Sequence, residues 1–260
     1  MNDPRNTSTG FSIERCKLVA NRFFVLNRKN WTIGLLGALG FLVAFWLLML
    51  WGGGASMSQV QFISLVPTAF FLYTLGGLII TSVIFKEMHE PSKAFQFLTL
   101  PASSLEKFTA AWLITFLAYT IIAIIALILL SIVMEVVYAL QTGFWGNFEV
   151  FNPFESEHIE RFVQYFFYHS VFFLGAAYFR KNHFIATALT IIVFFISVFI
   201  LISILGFFIA YFYDGSFTYQ FSSFEQHTLF YNVISIIIKT GIALLLLLFT
   251  YLNVKNKQVA

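Results

Sequence analysis

Six long apolar runs, separated by short polar stretches, set the rhythm of this chain. They fall at 31–51, 61–85, 109–134, 162–179, 184–213 and 229–252, each close to the roughly 20 apolar residues that a helix needs to cross a bilayer. No internal repeat is visible, and no Gly/Ser-rich or Pro-rich linker divides the runs. The pattern predicts an all-α, polytopic membrane protein with six transmembrane helices in one domain, 1–260. The fifth run is long enough to tilt, or to break near Gly206 into a span and a shallow extracytoplasmic piece.

Composition agrees with the pattern. The chain is 59% hydrophobic and only 10% charged, whereas a globular chain carries about 25% charged residues. Lipid must replace the missing polar surface. Phe supplies 35 residues, a usage suited to lipid-facing helices and membrane interfaces. A formal charge of +3 is too small to imply nucleic acid. The single cysteine, Cys16, excludes an intrachain disulfide framework. No cleavable signal peptide is expected, because Arg5, Glu14, Arg15, Lys17, Arg22, Arg28 and Lys29 scatter charge over 1–30 and no short apolar core precedes a small-residue cleavage site.

The basic residues set an orientation. With the N-terminus inside, Arg5, Arg15, Lys17, Arg22, Arg28, Lys29, Lys86, Lys93, Lys107, Arg180, Lys181, Lys255 and Lys257 all face the cytoplasm. Arg161 alone falls outside, and Lys239 lies within the last span. Cytoplasmic excess of Lys and Arg is the rule for membrane proteins, so both termini are expected in the cytoplasm.

Ahead of the first span, 11–29 reads as a separate amphipathic helix. Ile13, Cys16, Ala20, Phe23 and Phe24 share one face, with Val19 and Leu26 on its flank, while Glu14, Lys17, Asn21, Arg22 and Arg28 fall opposite. This suits a helix lying in the cytoplasmic interface, its cations near anionic headgroups. A plain lead-in whose charges only set topology is the simpler alternative.

The segment 86–108, between the second and third spans, carries its own punctuation. Pro91 suits the first turn of a short helix, where its missing N–H is no loss. That helix would pass through Ala94, Phe95 and Leu98 and stop before Pro101, which disfavours helix in the residue ahead of it. Ser103-Ser104-Leu105-Glu106 then matches a capping box, with Ser103 capping the Glu106 N–H and the Glu106 carboxylate reaching back. A mere connection needs only a handful of residues. This one is expected to display Phe95, Phe97 and Leu98, rimmed by Lys86, Glu87, Glu90, Lys93 and Lys107. Such clusters mark contact with another protein; the alternative is a helix resting on lipid headgroups.

The stretch "LPASSLEKF", placed between the second and third of six spans, resembles permease subunits of type-2 ATP-binding-cassette (ABC) exporters, especially the compact permeases of Bacteroidetes-type bacteria. The ending "TYLNVKNKQVA" is similar to the short basic tail of that group, although an acidic residue often found there is absent. The resemblance implies that the helix at 11–29 is a connecting helix and that the loop at 86–108 is a coupling helix docking on a separate ATPase subunit. Carried onto this chain, coupling falls on Phe95, Phe97, Leu98, Pro101, Ser103, Glu106 and Lys107. It further implies a pair of permeases, as a homodimer or with a related chain, in the bacterial inner membrane. ATP and Mg would be bound by the partner ATPase.

Two polar residues stand inside the spans. Lys239 lies near the middle of the last one, where a cation should face protein or water. It could line a substrate path or pair with a carboxylate; snorkelling is the plainer reading. His169, in "YFFYHSVFF", is a second path residue, or a hydrogen-bonded buried imidazole. His89, His158, His183 and His227 have no spacing that assembles a metal site. No metalloprotease helix motif, nucleophile elbow or P-loop is present, so no catalytic residue, metal or cofactor is expected in this chain. Gly52-Gly53-Gly54 reads as an outer turn. The sequence therefore points to an export permease. The runner-up is a membrane scaffold or accessory subunit without a path of its own, and the third choice is an intramembrane enzyme.

Overall fold

A computed structural model describes residues 11–52, 60–143, 150–212 and 228–259. Among them every regular element is helical: α1 (Ile13–Gly52), α2 (Val60–Val83), α3 (Lys86–His89), α4 (Pro91–Leu98), α5 (Ser104–Trp112), a π-helical segment (Leu113–Ala118), α6 (Tyr119–Thr142), α7 (Ser156–Tyr178), α8 (His183–Phe212) and α9 (Thr228–Val259). Five helices are long and apolar enough to cross a membrane, and their apolar windows are Trp31–Leu48, Leu65–His89, Ser104–Val137, His183–Ile209 and Val233–Lys257.

The expected fourth span, 162–179, corresponds to α7, which is not among those five. Gln164, Tyr168, His169 and Ser170 dilute its apolar run, and its position accommodates them. It packs most extensively on α9 and also on α2 and α8, and Tyr165, His169, Ser170, Phe173, Gly175, Ala176 and Ala177 are all buried. A helix screened from lipid by its neighbours can carry His, Tyr and Ser on its inner faces. Close packing supports this arrangement: a Cβ added at Gly175 would overlap the Thr187 side chain of α8. Small residues let membrane helices approach in this way. At the other extreme, α8 is buried only near its start, at His183 and Thr187.

Two boundaries differ from the sequence reading. The expected break between 11–29 and the first span does not occur, since α1 runs unbroken for 40 residues, about 60 Å of helix. Likewise α8 continues through Gly206. In the first turns of α1 the buried stripe is Cys16, Val19 and Phe23, packed into a cluster with Phe85, Phe97, Ala110, Ile114 and Phe173, while Ile13 and Phe24 are exposed. This stripe thus faces protein. Gly52 closes α1, and the rest of the expected Gly52-Gly53-Gly54 turn, with Ser56, Ser222 and His227, lies outside the described residues.

Candidate functional site

The segment after α2 forms a built platform at one end of the bundle. Pro91 occupies the first turn of α4, which ends at Leu98. Ser103 then caps α5: its Oγ accepts from the Glu106 N–H at 3.2 Å, and the Glu106 carboxylate accepts from the Ser103 N–H at 2.7 Å. Both halves of the expected capping box are present. Glu106 does a second job. Its Oε1 accepts from the Ser12 N–H at 2.6 Å, ahead of α1, and from Arg15 Nη2 at 2.9 Å, while Arg15 Nε lies 3.1 Å away. One buried carboxylate therefore closes the N-terminal ends of two helices. The hydrogen bond that Arg15 donates to Glu106 raises its pKa further, so this cation is permanent.

Neighbouring pairs extend the clamp. Arg22 donates to Glu87 at 2.6 Å, tying α1 to α3. Glu90 accepts from Lys93 at 2.8 Å and lies 3.4 Å from Lys86. The Lys93 hydrogen bond outweighs burial and holds the Glu90 carboxyl below its usual range. Cys16 is buried beneath this corner; burial, then the Glu106 charge, pushes its thiol up and leaves it protonated and unreactive.

The residues assigned to coupling separate into two groups. Phe95 is 73% exposed, and Pro101 and Ser103 are exposed as well. Phe97, expected at the surface, is instead fully buried, 6.3 Å from the Phe23 ring and under the Lys107 ammonium at 5.3 Å. Two residues apart on a helix is about 200° of rotation, so one of these two phenylalanines must turn inward when α4 packs on α1. Glu106 and Lys107 are also buried and hold the platform together from within. The Leu98 side chain lies outside the described residues.

His169 and Lys239 belong elsewhere. His169 is fully buried on α7, and its Nε2 is 2.9 Å from Thr115 Oγ1. Thr115 spends its only hydroxyl proton on the Ala111 carbonyl at 2.9 Å, so Nε2 donates and Nδ1 carries the lone pair. That Nδ1 has no partner. Thr115 sits in the π-helical segment, and its carbonyl accepts from the Tyr165 hydroxyl at 3.1 Å. Widened helical turns free carbonyls in this manner and cluster at functional sites. Tyr119 completes the polar seam by donating to the Tyr73 carbonyl at 2.7 Å. Lys239 is half-buried on α9, with no hydrogen bond or ion pair among the described residues. The structure does not bring it to His169.

Sequence reasoning missed Ser12 and Arg15 as Glu106 partners, and it missed the π-helical segment. Arg15 read as a topology charge, and nothing local ties it to a carboxylate 91 residues away. Comparison with protein-family models, with curated proteins and with solved structures finds no match.

Proposed function

We propose that this chain is the membrane-spanning subunit of an ABC exporter, with α7 as the fourth of six spans, pairing with a second permease and docking on a separate ATPase through α4. The observation that carries the reading is Phe95: a large apolar side chain, 73% exposed, on a short helix whose other side is seated on α1 through Phe97. An exposed aromatic anchor on a rigid, charge-rimmed support has the form of a protein contact. Support comes too from the resemblance of "LPASSLEKF" and from the capping box that fixes where the third span starts. In this reading ATP is hydrolysed by the partner, and α4 passes its movement to α5 and α1. Both termini and the platform lie on the cytoplasmic side of a bacterial inner membrane.

The test is co-purification in mild detergent of wild type and Phe95→Asp at matched expression, followed by ATPase assay of the recovered material. Wild type should bring down an ATPase polypeptide with magnesium-dependent activity, and Phe95→Asp should not. Equal recovery by both would defeat the docking assignment. Absence of any ATPase from the wild-type preparation would return the chain to a scaffold role.

A further inference from the structure

Away from α4, at the same end of the bundle, a second corner gathers cations. Lys257 Nζ donates to the Ala177 carbonyl at 2.7 Å and lies 3.4 Å from His89 Nδ1. His89 Nε2 is 3.0 Å from the Ala176 carbonyl, so this nitrogen carries the proton and Nδ1 accepts from Lys257. The His89 and His183 rings are 5.0 Å apart. His183 is only 8% exposed, yet its Nδ1 has no hydrogen-bond partner. Asn182, at φ 49°, reverses the chain between α7 and α8 and leaves Arg180 and Lys181 exposed on the turn. Arg180 is near enough for its charge to act on Lys257 and His89, and Lys86 acts on His183.

Carboxylates that could balance this charge are already engaged. Glu87 is held by Arg22, and Glu90 by Lys93 and Lys86. Among the described residues none pairs with Lys257, Arg180 or Lys181. The first amides of α8 point the positive end of a long helix at the same place. Lys257 therefore rests on a carbonyl and a neutral imidazole, with Arg180 as its neighbouring charge.

Depth says where a balancing anion would come from. The apolar windows of three spans end at His89, His183 and Lys257, so the corner lies at the level where hydrocarbon gives way to headgroups. We infer that the corner made by His89, Arg180, His183 and Lys257 binds the phosphate of an anionic phospholipid. Lys257 and Arg180 would supply charge, and His183 and the α8 amides directional hydrogen bonds. Basic pockets between membrane helices take anionic headgroups in this way.

The experiment is native mass spectrometry of the full chain in detergent, with phosphatidylglycerol and phosphatidylcholine in competition. Wild type should retain phosphatidylglycerol preferentially. Arg180→Gln, on an exposed turn where folding is not at stake, and Lys257→Gln should each lower that preference about fivefold, the factor one basic side chain contributes near an anionic surface. Lys255→Gln, an exposed cation on the same tail, should leave it unchanged. Wild type without a phosphatidylglycerol preference, or all three variants retaining it equally, would overturn the proposal. Displacement of the lipid by millimolar inorganic phosphate would also overturn it, because the site would then belong to a soluble anion.

Discussion

Phe95 and Phe97 offer the sharpest check on the platform, because one helix presents them to opposite surroundings. Phe97 is fully buried against Phe23 and Lys107. Truncating it to alanine removes the ring's transfer energy and leaves a cavity, about 3–5 kcal/mol for a buried Phe. The lower figure applies here, since α4 is short and can partly settle into the gap. At about 2–4 °C per kcal/mol for a chain of this size, Phe97→Ala should lower the melting temperature by roughly 6–12 °C. Phe95→Ala removes a ring that is 73% exposed and should change stability by no more than about 0.5 kcal/mol. The assay is thermal unfolding of the purified chain in detergent, followed by tryptophan fluorescence, beside ATPase recovery for both variants. Phe95→Ala should melt like wild type and lose partner; Phe97→Ala should melt early. Equal melting temperatures would mean that Phe97 does not seat α4, and the reasoning built on its burial would fail.

Ser103→Ala removes the side-chain half of the capping box but leaves Glu106 bonded to Ser12 and Arg15; it should cost about 1 kcal/mol, and Ser103→Thr should restore it in the same melting assay. Gly175→Ala places a methyl into the Thr187 side chain and should separate α7 from α8, whereas Gly206→Ala, with nothing within 4 Å, should melt at or above the wild-type temperature. In a chain lacking Cys16, a cysteine at Ser156 should react with impermeant thiol reagents in intact cells and one at Asn182 should not; labelling at Asn182 would refute the orientation, and Ser56 and Ser222 should behave like Ser156. Lys239→Leu should insert and purify normally but abolish transport-linked stimulation of the ATPase; unchanged stimulation would leave Lys239 a snorkelling residue.

What the sequence conveyed was chemistry that acts within a few residues. Pro91 opening α4 and the Ser103–Glu106 box opening α5 are local rules, and both hold. The boundary expected near 29 failed for an equally local reason: Asn27, Arg28, Lys29 and Asn30 are polar but include no proline or glycine, so the backbone has no cause to stop. Thr32 even donates to the Arg28 carbonyl at 2.8 Å across that point. Orientation within a packed assembly was illegible. An eight-residue amphipathic helix such as α4 shows which residues are apolar, not which of them a neighbour covers. The π-helical segment leaves no trace either, because hydrophobic periodicity cannot register a single widened turn inside an apolar run.

Two buried charges tie the platform to the rest of the bundle. Glu106 and Lys107 stand side by side on α5, both withdrawn from solvent, yet they act in different directions. Glu106 reaches the beginning of α1 through Ser12 and Arg15, whereas Lys107 covers the Phe97 ring of α4. A displacement of α4 therefore meets α5 at Lys107 and α1 at Phe23, and α5 is itself bonded to α1 through Glu106. The adjacent helices α4 and α5 are thereby joined to the start of α1, with 91 residues between Arg15 and Glu106. Under the proposed docking, this attachment would carry a push on α4 into the bundle, and Phe95 is the exposed apolar side chain with which α4 would meet the partner.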